Sequence, residues 1–158
     1  MTVLKLAGCL LILAAGGAAA LFCIRAERRR LEVLDGWIDL IALVRSRIDC
    51  YLMPQDAILS SLDAEQLRRC GGTVPCTSFP ALSQASDRFL SRESRRIVGS
   101  FAAGIGNGYR DEQVRACDYD LDALRDIRKR TAAELPSRIR VRTALCLTAA
   151  LGAAILLW

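Results

Sequence analysis

The sequence has no histidine among its 158 residues. That absence removes the usual general base of a Ser/His or Cys/His arrangement. It also leaves any zinc site dependent on cysteine. The seven cysteines (Cys9, Cys23, Cys50, Cys70, Cys76, Cys117 and Cys146) contain no CxxC pair to build one. There is no GxxxxGK[ST] loop, so the chain is not itself a P-loop ATPase. The glycine run at 104–108, GIGNG, lacks the lysine and the preceding strand of a phosphate loop. The alternating carboxylates Asp118, Asp120 and Asp122 do not open a calcium loop. Ala123 and Leu124 stand where the glycine is needed, and Lys129 stands where a bidentate glutamate should be. No segment alternates as a strand would, no heptad run reaches coiled-coil length, and no internal repeat occurs.

Charge is missing from two stretches, LAGCLLILAAGGAAALFCI at 6–24 and TALCLTAALGAAILLW at 143–158. All 17 acidic residues and all but one of the 22 basic residues, Lys5, lie between them at 25–142. The sequence pI near 9.0 does not mark a nucleic-acid binder, because both signs are interspersed through the middle. The first apolar stretch is close to the roughly 20 residues that span a bilayer core as a helix. The second is shorter. It gains length if Arg142 snorkels, and it ends in Trp158, a residue favoured at membrane interfaces. The expected organisation is a transmembrane helix over 1–24, a charged helical domain over 25–142 and a second transmembrane helix over 143–158.

Arginines crowd the inner ends of both apolar stretches: Arg25, Arg28, Arg29 and Arg30 after the first, Arg138, Arg140 and Arg142 before the second. The positive-inside rule then holds the middle domain in the cytoplasm with both termini outward. The same arginines disfavour cleavage after the small residues ending at Ala20, since they would have to be translocated. The LAGC box at 6–9 has no apolar region upstream. On this topology Cys70 and Cys76 are reduced thiols; an outside domain would allow a disulfide between them.

The middle reads as helices. Leu34, Trp37, Ile38, Ile41, Val44, Ile48 and Leu52 recur at spacings of three and four, forming one face of an amphipathic helix over 31–52. Met53-Pro54 breaks it, and Pro54 suits the first turn of a second helix over 54–70, with Ala57, Ile58, Leu62 and Leu67 apolar. CGGTVPCTSFP at 70–80 is a loop. A third helix covers 80–90, with Leu82, Ala85, Phe89 and Leu90 inward. Ser91 caps a fourth, with Ile97, Val98, Phe101, Ala102 and Ile105 as its stripe. Asn107-Gly108 marks a turn, and the last helix begins near Asp111, with Val114, Cys117, Leu121, Leu124 and Ile127 inward. The fold class expected is all-α, an antiparallel helical bundle flanked by two membrane helices. The cluster Asp118, Asp120, Asp122 and Asp126 reads as a solvated face or, more sharply, as a partner-binding one. Arg115 and Arg125 are spaced to pair with Asp118 and Asp122.

Three stretches carry a resemblance: LKLAGCLLILAA at 4–15, RRRLEVLDGWIDLIALVRSRIDCYLMPQDAILSSL at 28–62 and FAAGIGNGYRDEQVRACDYDLDAL at 101–124. With their order and spacing, the chain resembles the stage III sporulation protein AB family of endospore-forming bacteria. Leu31, Leu40, Ile48, Pro54 and Ala57 match the family's first soluble helices. Phe101, Ile105, Gly106, Gln113 and Leu121 match its most specific piece. Tyr109 departs from the pattern, standing where an acidic residue is expected, and Pro136 shortens or breaks the long polar helix before the second span.

The resemblance implies a bundle similar to the helical domain of inner-membrane platform proteins of type II secretion and type IV pilus machines. It implies a non-enzymatic platform of the channel between mother cell and forespore. The bundle would lie in the mother-cell cytoplasm beneath the outer forespore membrane, with no cofactor and no nucleic acid. Its partners would be membrane lipid, the secretion-type ATPase of the same operon (stage III sporulation protein AA) and other channel components. The partner-binding residues expected are Gly106, Tyr109, Arg110, Asp111 and Gln113, on an exposed turn held by packed helices. Other readings are a platform of a general secretion or pilus system and a membrane enzyme using the thiol of Cys50, or of Cys70 with Cys76. Cysteine labelling from each side of the membrane tests the orientation: external accessibility of Cys70 overturns the cytoplasmic assignment.

Overall fold

A computed structural model of the chain describes residues 2–51, 54–72 and 76–157. Leu52 of the predicted stripe, Met53 of the predicted break, positions 73–75 of the predicted loop and the terminal Trp158 lie outside the described residues. Six helices follow in order: α1 (Thr2–Tyr51), α2 (Gln55–Ser60), α3 (Ala64–Arg69), α4 (Phe79–Ser86), α5 (Arg92–Gly104) and α6 (Arg110–Leu157). No strand occurs among the described residues, so the chain is all-α. It divides into two compact units, one of Arg30–Thr131 and one of Met1–Arg29 with Ala132–Trp158.

The unit Arg30–Thr131 has one apolar core. From α1 it takes Val33, Leu34, Trp37, Leu40, Ile41, Val44 and Ile48, with Ile38 half-buried. From α6 it takes Cys117, Leu121, Leu124 and Ile127, the stripe that the spacing predicts. The two helices run antiparallel here, since rising numbers on one meet falling numbers on the other. Asp35 meets Arg128 at 2.9 Å, Arg45 meets Asp118 at 2.6 Å, and Asp49 meets Arg110. Exposed ion pairs contribute only about 0.2–1 kcal/mol each. Burying one large aliphatic side chain contributes about 1.5–3 kcal/mol. The core therefore supplies the stability, and the pairs help fix the register. Phe79 of α4 and Phe101 of α5 meet edge to face at 6.0 Å and 78° in the same core.

Local sequence explains the helix ends, and corrects two of the predicted boundaries. The predicted helix over 54–70 is two helices. Asp63 Oδ1 accepts from Gln66 N at 2.7 Å, while Gln66 Oε1 accepts from Asp63 N at 3.1 Å. This reciprocal cap starts α3 afresh and leaves Ser61 and Leu62 between two short helices. The predicted helix over 80–90 begins at Phe79, capped by Ser78, and ends at Ser86, giving way to a turn that still buries Leu90. Ser91 caps α5 as expected, its Oγ accepting from Ser94 N at 3.1 Å. The break expected at Pro136 does not occur, because α6 continues through it to Leu157. An interior proline costs about 3 kcal/mol in lost hydrogen bonding and crowding. Pro136 is exposed, and neighbouring bonds brace the turn. Arg138 pairs with Glu134 at 2.6 Å, and Ser137 Oγ donates to Glu134 O at 2.9 Å.

One glycine sets how closely α3 approaches α1. A Cβ on Gly36 would lie 2.7 Å from both the carbonyl carbon and the oxygen of Arg69, and these are backbone atoms. Here the ordinary gain of about 1 kcal/mol from replacing a helical glycine by alanine is reversed by the clash. Gly36→Ala is expected to destabilise the protein by roughly 1–3 kcal/mol, as overpacking does. Thermal unfolding followed by circular dichroism checks this. A melting temperature at or above the parental one would show that α3 does not pack against Gly36.

In the other unit, Gly16 of α1 meets Ala150 of α6 so closely that a Cβ on the glycine would lie 2.4 Å from the alanine Cβ. Small residues at a helix contact allow such an approach in membranes, where packing rather than water drives association. Glu27 is buried and its carboxylate pairs with Arg142. Leu10, Leu11, Leu21, Phe22, Leu145 and Ile155 are exposed, each by more than half. By length and composition the helix over Leu10–Cys50 is apolar enough to cross a membrane.

Candidate functional site

The turn between α5 and α6 holds the five residues predicted to meet a partner. Ile105 N donates to Phe101 O at 3.0 Å and closes α5. Gly106 and Gly108 then take φ values of 85° and 107°, the left-handed region that glycine enters without a Cβ clash. Gln113, in the first turn of α6, reaches back over them. Its Oε1 accepts from Gly106 N at 3.3 Å, and its Nε2 donates to Gly108 O at 2.9 Å. Glu112 Oε2 accepts from Tyr109 N at 3.3 Å. Asp111 and Glu112 place acidic charge at the positive end of the helix dipole.

The five residues do not converge on one point. Gly106 and Gln113 build the turn. Arg110 is committed to α1, where Nη2 donates to Asp49 O at 2.9 Å and also reaches its carboxylate. Tyr109, 82% exposed, and the exposed Asp111 face solvent. Of the five, these two are the residues most open to a partner.

The acidic stretch of α6 is largely neutralised within the fold. Asp118 does not pair with Arg115 as its spacing predicts. Both of its oxygens accept from Arg45, at 2.6 and 3.1 Å, and this hydrogen-bonded guanidinium holds its carboxyl below the usual range. Arg115 instead donates to Asp111 O at 3.1 Å. Asp122 pairs with Arg125 at 3.5 Å, as expected, and Asp126 with Arg130 at 3.3 Å. Asp120 is the exception, with no ion pair among the described residues. It is half-buried, and burial pushes its carboxyl pKa up. Asp120 borders a groove of about 430 Å³ between the end of α5 and the start of α6, with Phe101, Ile105 and Cys117 among its walls. The sequence carries a hint of this: position 120 lies three after Cys117 and four before Leu124, on the edge of the apolar stripe.

The two thiols buried in the core, Cys70 and Cys117, make poor nucleophiles. Cys70 is 1% exposed, and burial pushes its thiol up to about 12. Burial raises Cys117 to about 11, with Asp120 and Asp118 adding to the effect. Cys70 and Cys76 are both free, and Cys50 is exposed. Because Cys70 is buried, it is silent to a maleimide from either side, so Cys50 is the position to use for topology. Among the described residues no cluster of Cys, Asp and Glu could hold a metal ion. The chain matches no protein-family model, no curated protein and no solved structure.

Two measurements test this arrangement. With an aromatic disulfide reagent at pH 8, read by mass spectrometry, Cys50 reacts in the folded protein while Cys70 and Cys117 react only after unfolding. Early labelling of Cys70 would contradict its burial. Gln113→Ala removes two bonds to the turn and is expected to destabilise the protein by about 1–3 kcal/mol, given roughly 0.5–1.5 kcal/mol per hydrogen bond. An unchanged denaturant midpoint would free Gln113 for a role with a partner.

Proposed function

We propose that this chain is a non-enzymatic membrane platform that docks a secretion-type ATPase, as a component of the channel between mother cell and forespore in sporulation. The observation that carries the membrane part is the apolar exterior of the unit formed by Met1–Arg29 and Ala132–Trp158. Phe22 is 74% exposed, Leu11 72% and Ile155 67%, while the unit Arg30–Thr131 encloses its large aliphatic side chains. An exposed apolar surface of this kind is at home in lipid and a liability in water. On this reading two membrane helices flank an antiparallel bundle like that of type II secretion platforms, and the arginine clusters hold the bundle in the mother-cell cytoplasm with both termini outward.

The sporulation role and the ATPase partner come from the resemblance in sequence, and the geometry is compatible with them. The turn at 104–110 is pinned from inside by Gln113 and Arg110, so it presents Tyr109 and Asp111 on a fixed backbone. A preorganised turn lowers the entropy lost on binding a partner.

Co-purification from sporulating cells tests the reading. The full chain is expected to recover the ATPase encoded beside it. The double variant Tyr109→Ala, Asp111→Asn is expected to recover about tenfold less, the loss of roughly 1.4 kcal/mol of binding, with its helical circular dichroism retained. Full recovery by the variant removes the turn from the interface, and no recovery by the parent removes the ATPase. With the chain expressed in the plasma membrane of vegetative cells, modification of Cys50 by an impermeant maleimide from outside would reverse the orientation.

A further inference from the structure

The groove between α5 and α6 has a definite chemical character. Phe101, Ile105 and Cys117 are buried and give it an apolar floor. Glu112 and Asp120 supply two carboxylates, and Tyr119, 76% exposed, supplies an aromatic ring. None of the lining residues is a cation. Arg45, Arg125 and Arg130, which neutralise the neighbouring carboxylates, pair with Asp118, Asp122 and Asp126 and leave Asp120 alone. Gly104 faces open space, since a Cβ added there meets nothing within 4 Å.

We propose that this groove docks a segment of a partner protein carrying two basic side chains, one on Asp120 and one on Glu112, with apolar residues between them on the Phe101–Ile105 floor. The pattern of charge excludes an anionic ligand. A single metal ion does not fit either. Asp120 and Glu112 stand eight positions apart on α6, about 12 Å along the axis at 1.5 Å per residue, far beyond shared coordination. An extended chain covers the same distance in about four residues at roughly 3.3 Å each. Basic residues four apart therefore match the two carboxylates. Arginine and lysine also bring aliphatic stems suited to an apolar wall, and a guanidinium over the Tyr119 ring gains a cation–π contact. Charge-assisted bonds to the carboxylates would give the site its preference.

This site deepens the docking reading above and depends on it only for which protein supplies the segment. Its test uses the full chain in lipid nanodiscs with 3-fluorotyrosine in place of tyrosine, followed by fluorine NMR. Tyr119→Phe identifies the reporter resonance. The capped peptide RLALR is expected to shift the Tyr119 resonance saturably, and the counterpart ELALE is expected to leave it in place. Asp120→Asn is expected to weaken the peptide about tenfold, and Gly104→Trp, which fills the groove from an unobstructed position, to abolish the shift. Both variants should melt like the parent. Equal shifts from the two peptides, or parental affinity in both variants, overturn the proposal. A chain that binds RLALR yet recovers no ATPase supports the groove and removes the ATPase. One that recovers the ATPase yet ignores RLALR overturns the groove and leaves the docking reading intact.

Discussion

Burial of two facing apolar stripes, one on α1 and one on α6, is the constraint that organises the unit Arg30–Thr131. Trp37, Ile41 and Val44 on one helix and Leu121 and Leu124 on the other are excluded from water almost completely. Once those stripes meet, the polar flanks have little freedom. Arg45 comes to Asp118 and Arg128 to Asp35, and α3 is drawn against α1 closely enough to require Gly36. The turn between α5 and α6 must then close within a few residues. That requirement accounts for two glycines at positive φ and for a glutamine folded back on them.

How legible each element was in the sequence follows from the range of the interactions that define it. The stripes on α1, α5 and α6 were readable because a period near 3.6 is written in consecutive residues. The Ser91 cap was readable for the same local reason. The division between α2 and α3 was also local, in Asp63 and Gln66, but the apolar spacing across 54–70 outweighed it. Pro136 was misread because intrinsic preference is a weak guide where solvent and neighbouring side chains can replace what proline removes. The Arg45–Asp118 bond joins residues 73 apart, and no spacing rule reaches that far.

The candidate site shows the same division. Asn107-Gly108 announced the turn, while the hold of Gln113 on it was seen only in the structure. Which side chains remained available was likewise seen only there. Arg110 is engaged by Asp49 from α1, and Asp120 borders the groove against α5 with no ion pair among the described residues. Availability is a property of the packed fold: among the four carboxylates Asp118, Asp120, Asp122 and Asp126, what distinguishes Asp120 is the cation that does not reach it.

The buried Glu27 and its partner Arg142 have a consequence of an electrical kind. A lone charge displaced across a membrane potential changes in energy by about 2.3 kcal/mol per 100 mV. A matched glutamate and arginine form a dipole with no net charge, so a potential exerts no net force on them. In the proposed membrane setting the pair would add no gating charge to the helix contact that it closes.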